Sequence, residues 1–251
     1  MAYGVNAPFG LRPISSINGG SWTEKVNEYF ISASADGTTT YASNIFTGDP
    51  VIFNPVAANQ GGGTIARYGF NTDGNGGTNA ASVVGVFAGC RYTDINGKLV
   101  QSAYWPASTA VQAGTKIIAS VIDDPSVVYD VQVSTWTNVL NDARFTYNMV
   151  GQNFGLGLGG GGANLVPNNP VDGNTRTGES GAFLATTFTA NDIVHTTATL
   201  PLKVIGYTLE PDNLNKPISY AQDATTSPFL NVRVMINNHA FKAGTLGIVA
   251  A

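Results

Sequence analysis

The sequence is poor in charged residues. Only 11% of its 251 residues are Asp, Glu, Lys or Arg, against about 25% in an average globular protein. The polar surface must therefore come mainly from Asn, Thr, Ser and Gln rather than from ion pairs. Such a surface is soluble but repels itself weakly, which suits a chain that packs against neighbours. The same composition also fits an extracellular β-domain, and it does not separate the two.

Clusters of basic residues and long apolar runs are also lacking. The 12 Lys and Arg residues are spread along the chain, and the formal net charge is −4. Because phosphate binding depends on clustered cations, we expect no nucleic-acid partner. No basic amphipathic helix can be drawn for a membrane surface. No stretch reaches the roughly 18 apolar residues of a spanning helix, so we expect no membrane association.

Cysteine occurs once, as Cys90, which excludes an intrachain disulfide. The first residues, MAYGVNAPFGLRPISS, lack a charged segment followed by an apolar core, so they do not predict a secretory signal. We therefore expect a chain that is made in a cytosol and relies on packing alone for its stability.

Short β-type segments and glycine are what the sequence has in quantity. Glycine accounts for 30 residues, and runs rich in Val, Ile, Tyr and Phe are separated by Gly, Asn, Asp and Pro. This pattern predicts an all-β fold, a barrel or sandwich of short antiparallel strands. Strands are predicted within 48–55, 82–92, 98–105, 115–124, 126–136, 199–209 and 228–241.

The pattern also divides the chain. Residues 1–28 hold apolar patches broken by Pro and Gly, and we predict an extended N-terminal arm there. Residues 29–251 are predicted to form a single β-rich domain. Within it we predict a long Gly-rich loop at 151–181 and one short helix at about 138–148.

The stretch GCRYTDINGKLVQSAYW, residues 89–105, predicts a β-hairpin. Its Asn-Gly pair at 96–97 is typical of a two-residue type I′ turn, which needs positive φ at both positions. Aromatic residues dominate protein cores and interface cores alike. We therefore take Trp22, Tyr104 and Trp105 as candidate contact residues that anchor the N-terminal arm or a neighbouring subunit.

Two residues are candidate nucleophiles. Cys90 lies in mid-strand, far in sequence from both histidines, and a reactive thiol needs a nearby His, a cation or a helix N-terminus. Ser180, in TGESGAF, superficially resembles the nucleophile stretch of chymotrypsin-like proteases. Both His195 and His239 follow it, however, and no Gly-x-Ser-x-Gly elbow is present. We expect no catalytic residue, and a serine hydrolase built on Ser180 is the alternative among enzymes.

Cofactor and metal motifs are equally incomplete. The stretch GLGLGG at 155–160 matches a dinucleotide fingerprint in letters only, because nearby prolines prevent the helix it needs. The stretch NTDGNG at 71–76 resembles the start of an EF-hand loop, but Ser82 stands where the bidentate Glu belongs, which leaves only weak Ca²⁺ binding open. His195 and His239 have no second ligand nearby. We expect no metal, no cofactor and no small-molecule substrate.

Three segments carry a resemblance to a known class of proteins. GVFAGCRYTDINGKLVQSAYWPA, at 85–107, is similar to stretches of virion structural proteins of tailed bacteriophages. VIDDPSVVYDVQV, at 121–133, resembles them too, with one strand ending at Asp-Pro and another beginning. LPLKVIGYTLEPDN and VRVMINNHAF, at 200–213 and 232–241, look similar to the closing strands of the same proteins.

This resemblance implies a capsid decoration (cement) protein on the outer surface of the virion head, made in the host cytoplasm. Relatives of this type often form homotrimers that bridge neighbouring subunits of the major capsid protein. The expected partners are therefore the major capsid protein and further copies of this chain. The main alternative is a phage head-fibre or tail protein that binds a host-surface glycan, whose mark would be exposed aromatics beside Asp or Asn.

Overall fold

The computed structural model describes residues 7–54, 63–69, 82–134, 149–158, 173–185, 200–208 and 230–242. Within these ranges the regular elements are β-strands and no α-helix occurs, which confirms the all-β prediction. The strands are β1 (Arg12–Ser16), β2 (Asn27–Ile31), β3 (Ile45–Phe46), β4 (Pro50–Phe53), β5 (Thr64–Arg67), β6 (Val83–Thr93), β7 (Leu99–Ser102), β8 (Tyr104–Trp105), β9 (Ile117–Ile122), β10 (Val127–Ser134), β11 (Asn153–Leu158), β12 (Gly173–Asn174), β13 (Glu179–Ser180), β14 (Ala182–Ala185), β15 (Leu202–Tyr207) and β16 (Asn231–Ile236).

One sheet closes into a barrel that we call barrel 1. Its order is β10-β14-β11-β15-β16, and β16 pairs back onto β10. β1 adds to β10 in antiparallel register, with Arg12 opposite Asp130 and Ser16 opposite Val127. Valine, leucine and phenylalanine side chains fill the interior and are fully buried, among them Val131, Phe154, Leu156, Leu184, Val204 and Val234.

A second sheet closes in the same way and forms barrel 2. Its order is β4-β5-β2-β9-β6, and β4 pairs with β6 to close it. β7 pairs with the distal half of β6 and is the terminal strand of this sheet. Pro50 is the first residue of β4, a position where its missing N–H costs nothing. The buried side chains of barrel 2 form the second cluster, with Ile31, Ile65, Phe87, Trp105 and Val121 among its members.

Short pairings connect the two barrels. β3 pairs with β8, and Thr47 just after β3 bridges Glu179 of β13, which leads into β14 of barrel 1. Gly48 has φ +94°, and its N–H donates to Phe87 O of barrel 2 while its carbonyl accepts from Leu11 N–H. A Cβ on Gly48 would lie 2.9 Å from Phe9 O, so this close crossing requires glycine.

The segment predicted as an arm contributes to barrel 1. Leu11 is 1% exposed within its core, Gly10 N–H donates to Ala182 O, and β1 is hydrogen-bonded to β10. The boundary predicted at residue 28, between an arm and a domain, is therefore not a boundary in the packing, because residues 10–16 are part of barrel 1. Pro and Gly usually interrupt strands, so the local pattern suggests an arm. The partner of β1 lies more than a hundred residues away, and the local pattern cannot show it.

The stretch predicted as a Gly-rich loop at 151–181 begins with a strand. Asn153–Leu158 is β11, buried between β14 and β15. Gly157 lies under the ring of Phe183, and a Cβ there would come within 2.5 Å of two ring carbons. Glycine in this strand thus makes room for an aromatic ring on the neighbouring strand. Residues 155–158 of the dinucleotide-like stretch lie in this strand.

The hairpin at 89–105 is present, but its turn is not type I′. Gly97 has φ +81°, whereas Asn96 is not among the residues with positive φ. Gly97 N–H donates to Asp94 O, and Asp94 N–H donates to Lys98 O. The loop therefore has three residues ending in a left-handed glycine, the next most common hairpin form. The Asp94 carboxylate accepts from the Asn96 and Lys98 N–H groups, which stabilises the longer turn.

Several predicted features lie outside the described residues. These are the short helix at 138–148, the weak Ca²⁺ loop at 71–76 and His195.

Candidate functional site: exposed apolar groups around barrel 2

Trp105, a candidate contact residue, lies inside barrel 2. It is 0% exposed, its Nε1–H donates to Tyr41 O at 3.1 Å, and its ring meets Tyr92 edge-on at a centroid distance of 5.3 Å. Its expected role at a subunit surface is therefore corrected, because the side chain is a core residue with its polar atom satisfied.

Tyr104, its neighbour in β8, is half-buried. Its ring stacks on Phe46 with a centroid distance of 5.3 Å and an interplanar angle of 13°. Alternation along the strand sends Trp105 inward and leaves Tyr104 partly accessible. Of the two, only Tyr104 could contact a partner in this conformation.

Trp22 is a half-buried residue of the other barrel. It packs against the core cluster of barrel 1, and its Nε1–H is buried with no hydrogen-bond acceptor among the described residues. Trp22 thus packs on barrel 1, whereas Tyr104 lies in the short β3–β8 pairing, and the structure does not gather the three candidate aromatics into one site.

The most exposed large apolar side chains lie at the tip of the β6–β7 hairpin. Ile95 in the turn is 67% exposed and Leu99 at the start of β7 is 61% exposed. We call these two residues the hairpin patch. Sequence reasoning did not select them, although an isoleucine in the middle of a polar turn was a usable signal.

The hairpin patch adjoins a sheet edge that no other strand of the described residues covers. β7 is the terminal strand of its sheet, and Asp94 N–H bonds to Lys98 O across the hairpin. Because hydrogen-bonding direction alternates along an antiparallel strand, the backbone groups of Leu99 and Gln101 point away from β6. Neither β7 residue carries a charge or a proline to block pairing, as edge strands commonly do.

A row of aromatic rings lies at another side of barrel 2. Tyr29 and Phe53 have centroids 6.1 Å apart, and Phe53 meets Phe241 edge-on at 6.1 Å. Tyr29 is buried, Phe53 is half-buried and Phe241 is 52% exposed, so the row leads from the core to the surface. We call it the aromatic row.

Cys90 lies beneath a shallow cleft of about 390 Å³ lined also by Gly89, Ser102 and Ser120. The side chain is 7% exposed, and burial raises the pKa of its thiol to about 12. A thiol held protonated in this way is a poor nucleophile.

Ser180 is part of a buried polar cluster with Asp49 and Arg67. Its hydroxyl donates to Asp49 Oδ1 and accepts from Ala182 N–H. Arg67 Nε lies 2.8 Å from Asp49 Oδ2, and the Phe46 N–H donates to the same oxygen at 2.8 Å. Burial raises the pKa of Asp49, and the Arg67 guanidinium opposes that rise. The hydroxyl is therefore engaged in a structural contact between the barrels, with Ser180 1% exposed.

His239 is also buried, at 0% exposure, where the chain leaves barrel 1. Its Nδ1 accepts the Phe241 N–H at 3.1 Å. Among the residues that the structure describes, no group of three or more His, Cys, Asp or Glu side chains could hold a metal ion. In the same part of the chain, no helix is long and apolar enough to cross a bilayer.

Comparison with protein-family models, with curated proteins and with solved structures finds no match to this chain.

Proposed function

We propose that the chain is a non-enzymatic virion structural protein, a capsid decoration protein that binds the outside of a tailed-bacteriophage head and stabilises the major capsid shell. The proposal is supported by the resemblance of residues 85–107, 121–133, 200–213 and 232–241 to phage virion proteins. The observation that carries it is the hairpin patch, where Ile95 and Leu99 are 67% and 61% exposed beside an open strand edge. Exposed apolar groups next to such an edge are typical of protein-binding surfaces.

Repeated contacts explain how such a protein would strengthen a shell. Each copy makes a modest contact, and linking several copies in a homotrimer raises the overall binding strength through effective concentration. Because only 11% of the residues are charged, contacts through apolar and amide groups would depend little on ionic strength. The partners we propose are the major capsid protein and further copies of this chain.

We expect the paired substitution Ile95→Lys and Leu99→Lys to weaken binding to shells about tenfold or more, because two lysines would have to lose their hydration in the contact. The measurement is co-sedimentation of the purified chain with shells assembled from the major capsid protein of the same virus. Both positions are exposed, so stability should change by no more than about 0.5 kcal/mol.

The matched control is Ile17→Lys, at a residue 49% exposed on barrel 1, which should bind shells as the unmodified chain does. Equal loss of binding in the control and the paired variant would contradict the assignment to the hairpin patch. Sedimentation equilibrium supplies the oligomeric state, with an expected mass of three times the 26.1 kDa chain. If the unmodified chain does not bind shells at all, the decoration role is wrong.

The aromatic row favours a second candidate, a head-fibre or tail protein that binds a host-surface glycan. Aromatic rings at a surface can pack against the apolar faces of sugar rings, and Phe241 is 52% exposed. If this candidate is right, a glycan array gives a signal with the unmodified chain that Phe241→Ala abolishes and Leu99→Lys leaves intact. An array without signal would remove this candidate.

A further inference from the structure

His239 lies where barrel 1 is tied to barrel 2. After β16 of barrel 1, Asn238 O accepts the N–H of Val83 at 3.1 Å, and Ala240 N–H donates to Val83 O at 2.8 Å. These two bonds join the end of β16 to the start of β6, and we call them the 238–240 bridge. His239 is the residue between them, and its side chain is 0% exposed.

The hydrogen bonds of the ring define its neutral form. Because Nδ1 accepts the Phe241 N–H at 3.1 Å, a neutral ring carries its proton on Nε2. Nε2 is buried and has no hydrogen-bond partner among the described residues. Nδ1 is therefore satisfied as an acceptor, whereas the proton on Nε2 has no acceptor in the part of the chain that the structure describes.

Protonation is incompatible with this arrangement. A proton on Nδ1 would face the Phe241 N–H, so two donors would meet and the bond would be lost. The positive charge would also be buried without an acceptor at Nε2, which is costly in a dry environment.

The charged neighbours do not reverse this conclusion. Asp123 and Asp124, on the β9–β10 connection, favour the cation, and Lys242 on the same segment as His239 opposes it. Asp123 already accepts from Tyr29 Oη at 2.7 Å, and Asp124 accepts from Ser126 at 2.8 Å. Burial is the largest effect and lowers the pKa of His239 from 6.5 to about 4.

We propose that His239 makes the junction of the two barrels sensitive to acid: the neutral ring keeps the 238–240 bridge closed, and protonation releases this segment from β6. The released segment exposes the ring to water, where it can hold its charge. Such an opening is local, because the remaining strands of both barrels keep their own pairing.

Proton linkage gives the direction and the size of the pH effect on opening of the 238–240 bridge. The open state binds a proton near pH 6.5 and the closed state only near pH 4. The closed state is therefore fully favoured above about pH 6.5 and loses stability as the pH falls towards about 4. At pH 5 the equilibrium constant for opening should be roughly thirty-fold higher than at pH 7.5.

The test is amide hydrogen exchange of the full chain at pH 7.5 and pH 5, corrected for the intrinsic dependence of exchange on pH. The expected result is a roughly thirty-fold loss of protection at the Val83 and Ala240 amides, while the amides of β2 and β10 stay protected. In parallel, the imidazole signals of His239 are followed by NMR, and its pKa should lie well below the ordinary histidine value of 6.5.

The variant His239→Asn keeps an oxygen acceptor near the position of Nδ1 but cannot be protonated. We expect it to retain protection at Val83 and Ala240 at pH 5, whereas the control His195→Asn should open as the unmodified chain does. The proposal is overturned if the unmodified chain stays protected at pH 5, if protection is lost in all strands together, or if His239 titrates near 6.5 in NMR. These three results are measured on the unmodified chain, so they test the proposal even if His239→Asn does not fold.

Discussion

Replacement of Asp49 by alanine is expected to lower the free energy of unfolding by about 3 to 5 kcal/mol, because it removes the carboxylate that forms a buried ion pair with the Arg67 guanidinium. The Arg67 side chain is 8% exposed and that of Asp49 is 0% exposed. The substitution also removes the acceptor of the Phe46 N–H and of the Ser180 hydroxyl. Urea unfolding followed by circular dichroism measures the change.

Two further variants separate the causes of this loss. Ser180→Ala removes one donor to Asp49 but keeps the ion pair, so we expect a smaller loss of about 1 to 3 kcal/mol. Asp36→Ala, at an exposed turn carboxylate, is the control for the removal of a negative charge and should change stability much less. If Asp49→Ala is as stable as Asp36→Ala, the polar cluster does not hold the barrels together.

The seven segments predicted as strands contain eight of the sixteen strands that the structure describes. The alternation of Val127, Tyr129, Val131 and Val133 identified β10, and all four are at most 3% exposed. The sequence could not reveal that the intervening residues are buried too. Asp130 is 1% exposed because Arg12 and Thr208 contact it, and those partners are far away along the chain.

The errors share one physical cause. β1 was predicted as an arm and β11 as a loop because Pro and Gly usually end strands. Each is stabilised by partners more than twenty-five residues away: Leu11 by the core of barrel 1, and Gly157 by the ring of Phe183. A local pattern carries no information about these contacts.

The same limit applies to the candidate site. Composition favoured a protein that acts through its surface, and aromatic content favoured Trp22, Tyr104 and Trp105. Residue type does not determine exposure, however, because aromatic side chains are equally common in cores. The polar cluster joins Asp49 to Ser180 across 131 positions, so only the folded chain could show it.

Trp105→Ala tests the corrected assignment of that residue and should lower the free energy of unfolding by about 3 to 5 kcal/mol, since a large side chain at 0% exposure leaves a cavity. The loss includes the edge-on contact with Tyr92 and the hydrogen bond from Nε1 to Tyr41 O. Trp105→Phe keeps much of the volume but not the donor, and we expect about a third of that loss. Both are measured by urea unfolding.

Tyr104→Ala, next to it in β8, is the matched comparison. Its half-buried ring stacks on Phe46, so Tyr104→Ala should lower the free energy of unfolding by less than half as much as Trp105→Ala. The two residues should also differ in binding. At a temperature where Trp105→Ala remains folded, its binding to shells should equal that of the unmodified chain, because a core residue acts on binding only through folding. If folded Trp105→Ala binds shells more weakly, Trp105 must contact the shell after all. Barrel 2 would then have to open on binding, because the side chain is 0% exposed in this structure.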